Sequence, residues 1–269
     1  MTEMKAKTVL DLLAMKARGE KICVLTAYDY PLARIMDQAG IDMVLVGDSV
    51  GPVVAGYDNT LPVTMEEMIY HSRAVARAVR QAVIVADMPF LSYQVSPEEA
   101  RRNAGRLIKE GGAHAVKLEG GEAMAATVCS IVAMDVPVVG HIGLTPQSIH
   151  RMGGYRVQGR QQAQAEQLLR DARAIADAGA FAVVLEGIPA DLATRITAEL
   201  PIPTIGIGAG ADCDGQVLVI HDILGLCEKY SPKFVKRFAD VSGTIRQGVD
   251  DYIRDVKGGI FPGEEHTFR

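Results

Sequence analysis

The stretch Gly111-Gly112-Ala113-His114-Ala115-Val116-Lys117-Leu118-Glu119 lays out one unit of the fold: a helix stops at glycine, a short apolar strand follows, and an acid ends it. The same order opens at Ala39-Gly40-Ile41-Asp42-Met43, which leads to Asp48, and at Ala178-Gly179-Ala180-Phe181-Ala182, which leads to Glu186. Gly40, Gly112 and Gly179 stand where a helix C-terminus turns left-handed, a conformation that suits a residue without Cβ. The run ending at Asp87 repeats the theme without the glycine lead-in. Nearly continuous apolar runs of this type occur at 22–25, 43–46, 83–86, 115–118, 136–139, 182–185, 204–207 and 217–220. Strands of a parallel sheet, buried on both faces, read this way.

Amphipathic stretches separate most of these runs. Met68, Ile69, Ser72, Val75, Ala76 and Val79 fall on one helical face, as do Leu168, Leu169, Ala172, Ile175 and Ala176. Thr64 with Glu67 forms a capping-box pattern, and Ser96-Pro97-Glu98-Glu99 places proline at a first helical position. Eight strands alternating with helices predict an α/β chain, a single-domain (β/α)8 TIM barrel over 1–269, with a helix over 8–18 capping its bottom. An open doubly wound sheet is the competitor. Its glycine-rich nucleotide turn belongs after the first strand, where this chain reads Thr26-Ala27-Tyr28-Asp29.

Composition narrows the function classes. The 269 residues are 48% hydrophobic, enough for one large core. The 28 basic and 33 acidic residues leave a net charge of -5, with no Lys/Arg cluster long enough to track a phosphate backbone, so nucleic acid is not an expected partner. Charges of both signs run through residues 1–21, and no apolar run reaches membrane-spanning length, which points to a cytoplasmic protein without a membrane partner. Cys23, Cys129, Cys213 and Cys227 include no CxxC pair and suit neither a zinc site nor a disulfide framework.

In a barrel, catalytic side chains come from the C-terminal strand ends, so Asp48, Asp87 and Glu119, on three successive strands, converge on one mouth. Three close carboxylates repel one another unless a cation or proton intervenes, and an all-oxygen ligand set favours Mg2+. The competing reading is that each acid caps the following helix. Lys117 shares the parity of Glu119 and points into the barrel, where its ammonium can hold a substrate carboxylate or enolate oxygen, form a buried ion pair, or serve as a Schiff-base lysine. Its closeness also leaves Glu119 a choice between touching the metal and acting through water or an ion pair. Glu186, counted to the opposite side of the barrel from the metal acids, has the desolvated setting of a general base, or else a charge at a helix N-terminus. Ile205-Gly206-Ile207-Gly208-Ala209-Gly210 either offers backbone amides to a phosphate or uses glycine only for close passage and positive φ. His141 either orients substrate or bonds a loop carbonyl.

Across essentially its whole length the chain resembles the 3-methyl-2-oxobutanoate (ketopantoate) hydroxymethyltransferase family. The matching blocks include Leu45-Val46-Gly47-Asp48-Ser49, Thr60-Leu61-Pro62-Val63-Thr64, Ala86-Asp87-Met88-Pro89-Phe90, Val116-Lys117-Leu118-Glu119-Gly120, Gly140-His141-Ile142-Gly143-Leu144-Thr145-Pro146-Gln147 and Val157-Gln158-Gly159-Arg160. Tyr57-Asp58-Asn59 departs from the His-Asp-Thr common in that family. The resemblance implies a Mg2+ site at Asp48, Asp87 and Glu119, binding of the 2-oxo acid by Ser49 and Lys117 together with Asp48 and Asp87, and Glu186 as proton acceptor. It further implies 5,10-methylenetetrahydrofolate as one-carbon donor, a Mg2+-stabilised enolate, a role in pantothenate biosynthesis, and a homo-oligomer of many subunits, with a decamer as the form considered. Two rivals remain at this point: a Mg2+-dependent lyase or mutase of the phosphoenolpyruvate-mutase type, and a non-catalytic protein that has kept the barrel.

Overall fold

A computed structural model describes residues 6–227 and 232–268. The chain forms two compact units, Met1–Val219, which holds the entire barrel, and Ile220–Arg269. In the first, strands β1 (Ile22–Thr26), β2 (Met43–Val46), β3 (Val83–Asp87), β4 (Ala115–Glu119), β5 (Val138–Gly143), β6 (Ala182–Glu186), β7 (Thr204–Ile207) and β8 (Gly215–Leu218) pair in sequence order. All pairings are parallel, and β8 closes onto β1 with Val24 opposite Val217. The predicted (β/α)8 barrel is therefore the fold observed. Two boundaries differ from the sequence reading. β5 starts at Val138, because Pro137 has no N–H for a ladder, and it runs on through His141 to Gly143. β8 starts at Gly215 and ends at Leu218, two residues short of the apolar run, whose last member Ile220 opens a helix.

Strand periodicity fills the interior. Ile22, Val24, Met43, Leu45, Val83, Val85, Ala115, Val139, Ala182, Val184, Ile205 and Val217 share one apolar cluster, into which Leu12 and Met15 of helix α1 (Val9–Ala17) insert. The expected cap on the bottom of the barrel is thus present, started by a Thr8/Asp11 capping box. Two residues further along the same faces come Asp87, Lys117 then Glu119, His141 and Glu186, so the inward parity that builds the core delivers the polar groups at the opposite end.

Helices α2 (Tyr30–Gln38), α3 (Met65–Ala78), α4 (Pro97–Lys109), α5 (Ala125–Val132), the one-turn α6 (Ile149–Met152), α7 (Gln162–Asp177) and α8 (Ala190–Glu199) follow in turn. The Thr64/Glu67 capping box and the Ser96 cap are both formed. Gly40, Gly112 and Gly179 have φ of 87°, 75° and 95°, the left-handed turns anticipated for them. Packing of α7 on β5 requires Gly140: a Cβ there would lie 2.4 Å from Ile175 Cγ2. The second unit contains α9 (Ile220–Ile223) and α10 (Val241–Lys257), the latter capped by Asp240. Along α10, Ile245, Val249, Tyr252 and Val256 are exposed at helical spacing. Among the described residues no helix is long and apolar enough to cross a membrane.

Candidate active site at the barrel mouth

Five inward or strand-end groups, Asp48, Asp87, Lys117, Glu119 and His141, are each at most 6% exposed. Ladder register sets their neighbours: Asp87 lies opposite Lys117, and Glu119 opposite His141. Lys117 Nζ makes an ion pair with Asp87 Oδ1 at 2.9 Å and approaches His141 Nδ1 at 3.3 Å. His141 Nδ1 stands 3.5 Å from Glu119 Oε1, and its Nε2 stands 3.1 Å from Glu186 Oε2. The imidazole therefore bridges two carboxylates. Glu186 does lie opposite β2 in the closed strand order, as expected, but only β5 separates its strand from β4, and His141 links it to Glu119; of the two readings offered for the His141 side chain, no bond to a loop carbonyl is formed among the described residues. Gly143 makes the β5–β6 approach possible, with φ of 92° and room for no Cβ, which would lie 2.3 Å from the Glu186 carbonyl oxygen.

Asp48 lies two residues beyond β2, in a turn rather than on the strand, and its backbone N–H donates to Asp87 Oδ2 at 3.0 Å. Next to it Ser49 Oγ is 2.8 Å from the hydroxyl of the buried Tyr28. Gln147 was not singled out by sequence reasoning, yet it ties the site together. Its Nε2 donates to Asp48 Oδ2 (2.8 Å) and to the Met88 carbonyl (3.0 Å), its backbone N–H donates to Glu119 Oε2 (2.9 Å), and its Oε1 accepts from the Tyr93 hydroxyl (2.7 Å). Tyr93 in turn accepts the Glu119 backbone N–H at 3.1 Å. The loop after β7 reads as a conformational device: Gly208 and Gly210 have φ of 61° and 88°, and a Cβ on Gly206 would lie 2.9 Å from Cys213 Sγ.

Electrostatics define what the site lacks. Four carboxylates face one ammonium and one imidazole. Burial, then repulsion from Asp87 and Glu119, holds the Asp48 carboxyl well above the usual range, although Lys117 and Gln147 pull it down. Burial also raises Asp87, against the pull of Lys117. Burial and Lys117 work to neutralise His141, but its bonds to Glu119 and Glu186 outweigh them and carry it up to about 9. For Lys117, burial is overcome by Asp87, Glu119 and Asp48, which keep the ammonium charged. The uncompensated negative charge, carried by oxygen donors, fits a hard divalent cation such as Mg2+. Among the described residues no three Asp, Glu, His or Cys side chains converge closely enough to hold a metal alone. Glu119 is engaged by Gln147 and His141, Asp48 by Gln147 and Asp87 by Lys117, so each of the three carboxylates already has a partner within the chain, and an ion bound among them would complete its shell with water and substrate.

A sequence model of the ketopantoate hydroxymethyltransferase family matches residues 6–264. The chain belongs to this family. It is 75% identical over 264 residues to the 3-methyl-2-oxobutanoate hydroxymethyltransferase of Syntrophotalea carbinolica, covering 98% of this chain and 99% of that one. It is 70% identical, with the same coverage, to the enzyme of that name from Geotalea daltonii. Among solved structures it is similar to a phosphonopyruvate hydrolase complexed with oxalate and Mg++, at a TM-score of 0.65 and 15% identity over 97% of this chain and 91% of that one. It also resembles 2,3-dimethylmalate lyase, described as a PEP mutase/isocitrate lyase superfamily member, at a TM-score of 0.61 and 17% identity over 96% and 91%. At such identities the likeness extends to the barrel alone. The lyase and mutase rival therefore shares this chain's fold, whereas the hydroxymethyltransferase family shares its sequence from end to end. Family membership also makes the chain one of an enzyme family, against the non-catalytic alternative.

Proposed function

We propose that the chain transfers the one-carbon unit of 5,10-methylenetetrahydrofolate to 3-methyl-2-oxobutanoate, consuming water and releasing 2-dehydropantoate and tetrahydrofolate, as a step of pantothenate biosynthesis. The observation that carries this reading is the His141 bridge, which sets the Glu186 carboxylate one imidazole away from the acids and ammonium of β3 and β4. Asp48 and Asp87 are the residues to hold Mg2+, with Glu119 acting on it through an intervening group. The ion when bound supplies Lewis-acid polarisation of the 2-oxo group, which acidifies C3. Asp48 and Asp87 place that group against Lys117, and Ser49, fixed by Tyr28, binds the 2-oxo acid beside them. Glu186 Oε2 takes the C3 proton, while His141 keeps that carboxylate aimed. Lys117 Nζ offers its charge to the oxygen on which negative charge develops. Water breaks the two C–N bonds of the folate methylene group, its hydrogens going to the two nitrogens so that tetrahydrofolate leaves, and the one-carbon aldehyde formed is attacked by C3, its oxygen taking back the proton held by Glu186 to give the hydroxymethyl group.

Proton NMR of 3-methyl-2-oxobutanoate in D2O tests the first half of this sequence. With enzyme and Mg2+ the C3 proton signal is expected to vanish, with EDTA to persist, and addition of methylenetetrahydrofolate is expected to yield 2-dehydropantoate. Glu186→Gln is expected to slow the exchange about a thousandfold while leaving Mg2+-dependent substrate binding in place. Exchange that ignores the metal sinks the reading, and a wild-type rate in the variant removes Glu186 from the base role. The exposed apolar side of α10 supports the accompanying proposal of a homo-oligomer, a decamer being the form to test by light scattering; a cytoplasmic location is proposed with it from the sequence.

A further inference from the structure

Residues 136–165 contain no Asp or Glu, although the chain as a whole carries a net charge of -5. Within that run, the loop joining β5 to α7 holds Arg151, Arg156 and Arg160, and among the described residues no carboxylate pairs with any of them. Arg151 and Arg156, with Met152, Val157, Gln158 and Gln164, line a cavity of about 470 Å3.

The loop is anchored at both ends on the catalytic centre. At its start Gln147 donates to Asp48 and Glu119, and Arg151 follows four residues later, about 6 Å along the helical turn. At its end the Gln158 backbone N–H donates to the carbonyl of Gly187, the residue after Glu186, at 2.8 Å. Tyr155 stands between the two arginines in sequence, and Gln158, bonded to Gly187, itself lines the cavity, so the arginines sit on a loop held at both ends to the catalytic centre.

We propose that the cavity between Arg151 and Arg156 binds the glutamate tail of the folate donor, with the guanidiniums taking the α-carboxylates of successive γ-linked glutamates. A folate presents an aromatic pterin at its reacting end and a flexible chain of carboxylates at the other. Guanidinium groups bind carboxylates bidentately, and the unpaired arginines lose no internal ion pair on doing so. Met152 and Val157 add apolar contact for the methylene groups between the carboxylates. The assignment rests on the proposed use of folate, and it extends that reading by giving the tail a place and the enzyme a preference among folates.

The test compares mono- and triglutamyl 5,10-methylenetetrahydrofolate on the wild type and on the Arg151→Ala/Arg156→Ala double variant. Both arginines are exposed, so the truncations leave the barrel intact. In the wild type the triglutamyl donor is expected to show the lower KM. In the variant that KM is expected to rise about tenfold, the monoglutamyl KM to stay within twofold, and the C3 deuterium exchange, which needs no folate, to be unchanged. Calorimetry with γ-linked triglutamate alone is expected to show binding to the wild type that weakens with salt and is lost in the variant. No preference between the two donors in the wild type, or the same preference in the variant, overturns the assignment. So does equal binding of tripolyphosphate with the same dependence on the arginines, which makes the cavity a general anion site. Absence of C3 exchange in the wild type instead marks failure of the proposed function itself.

Discussion

At the N-terminal ends of the strands, Asp37 accepts the backbone N–H groups of Arg80, Gln81 and Ala82, Asp42 pairs with Lys7 at 3.2 Å, and Asp214 pairs with Lys16 at 2.7 Å. At the C-terminal ends, Asp48, Asp87, Glu119 and Glu186 share Lys117 and His141. Both groups sit in the same barrel a few strand residues apart, and Asp37 of the lower group is as buried as Asp48 and Asp87 of the upper. The lower acids are matched one to one by a cation or by backbone donors, and they hold loops to strands. The upper acids outnumber their partners, which costs stability in the folded chain and is the surplus that the proposed cation would offset.

Removing one ammonium from each end gives the largest expected contrast. Lys117→Met strands Asp87 without its ion pair in a buried site and is expected to cost about 3–5 kcal/mol in EDTA, with part of the loss recovered on adding Mg2+. Lys16→Met leaves Asp214 still accepting the Thr204 backbone N–H at 2.8 Å, and is expected to cost only about 1 kcal/mol with no added response to Mg2+. Thermal unfolding with and without metal measures both. Equal losses in the two variants would erase the distinction between the ends.

Removing one negative charge from each end is expected to change stability in opposite directions. Asp48→Asn relieves repulsion with Asp87 and Glu119 and keeps an oxygen for the Gln147 amide, so the EDTA form is expected to gain about 1 kcal/mol, while C3 exchange and Mg2+-induced stabilisation disappear. Asp37→Asn leaves three backbone donors with a poorer acceptor and is expected to lose about 1–3 kcal/mol. Acidification acts like the first substitution. Because the Asp48 carboxyl is raised in the folded state, that state binds the proton more tightly than the unfolded chain does, and the metal-free protein gains stability as pH falls through the Asp48 folded value toward the ordinary 3.8. His141, raised to about 9 from 6.5, adds a contribution present below 6.5 and lost as pH rises through 9, so the metal-free protein is expected to weaken on the alkaline side. Unfolding in EDTA across that interval checks the slope, and a rise in stability toward pH 9 contradicts it.

The barrel scaffold was more legible than the acid contacts at either end. The eight apolar runs, the capping boxes and the glycine turns are local signals, each carried by residues within one helix or strand of one another. Asp87, Lys117, Glu119 and Glu186 were legible for the same reason, since period two alone turns them inward. Gln147 was not, because its partner Asp48 is 99 residues away and its own neighbourhood, Thr145-Pro146-Gln147-Ser148, reads as an ordinary turn. Tyr93 and Tyr28 were missed similarly: each is a core aromatic by composition, and only closure of the barrel brings its hydroxyl to a polar partner. His141 was placed after its strand and given no carboxylate partner, because the apolar run stops at Gly140 while β5 continues to Gly143, and a count of strands does not reveal that one imidazole spans β4 to β6.

Tyr28→Phe gives the smallest expected effect and probes the margin of the upper site. Its hydroxyl fixes Ser49 Oγ at 2.8 Å, whereas the ring is core and remains in the variant. Loss of that bond is expected to cost about 1 kcal/mol, and the price falls on substrate binding, because Ser49 regains the rotamers that Tyr28 denied it. The KM for 3-methyl-2-oxobutanoate is then expected to rise about fivefold, with the C3 exchange rate at saturation and the metal requirement both kept. A purely structural hydroxyl would instead lower the unfolding temperature and leave KM untouched. That outcome would move Tyr28 and Ser49 out of the proposed substrate-binding group at the upper end and into the company of the lower acids, whose bonds are complete within the chain.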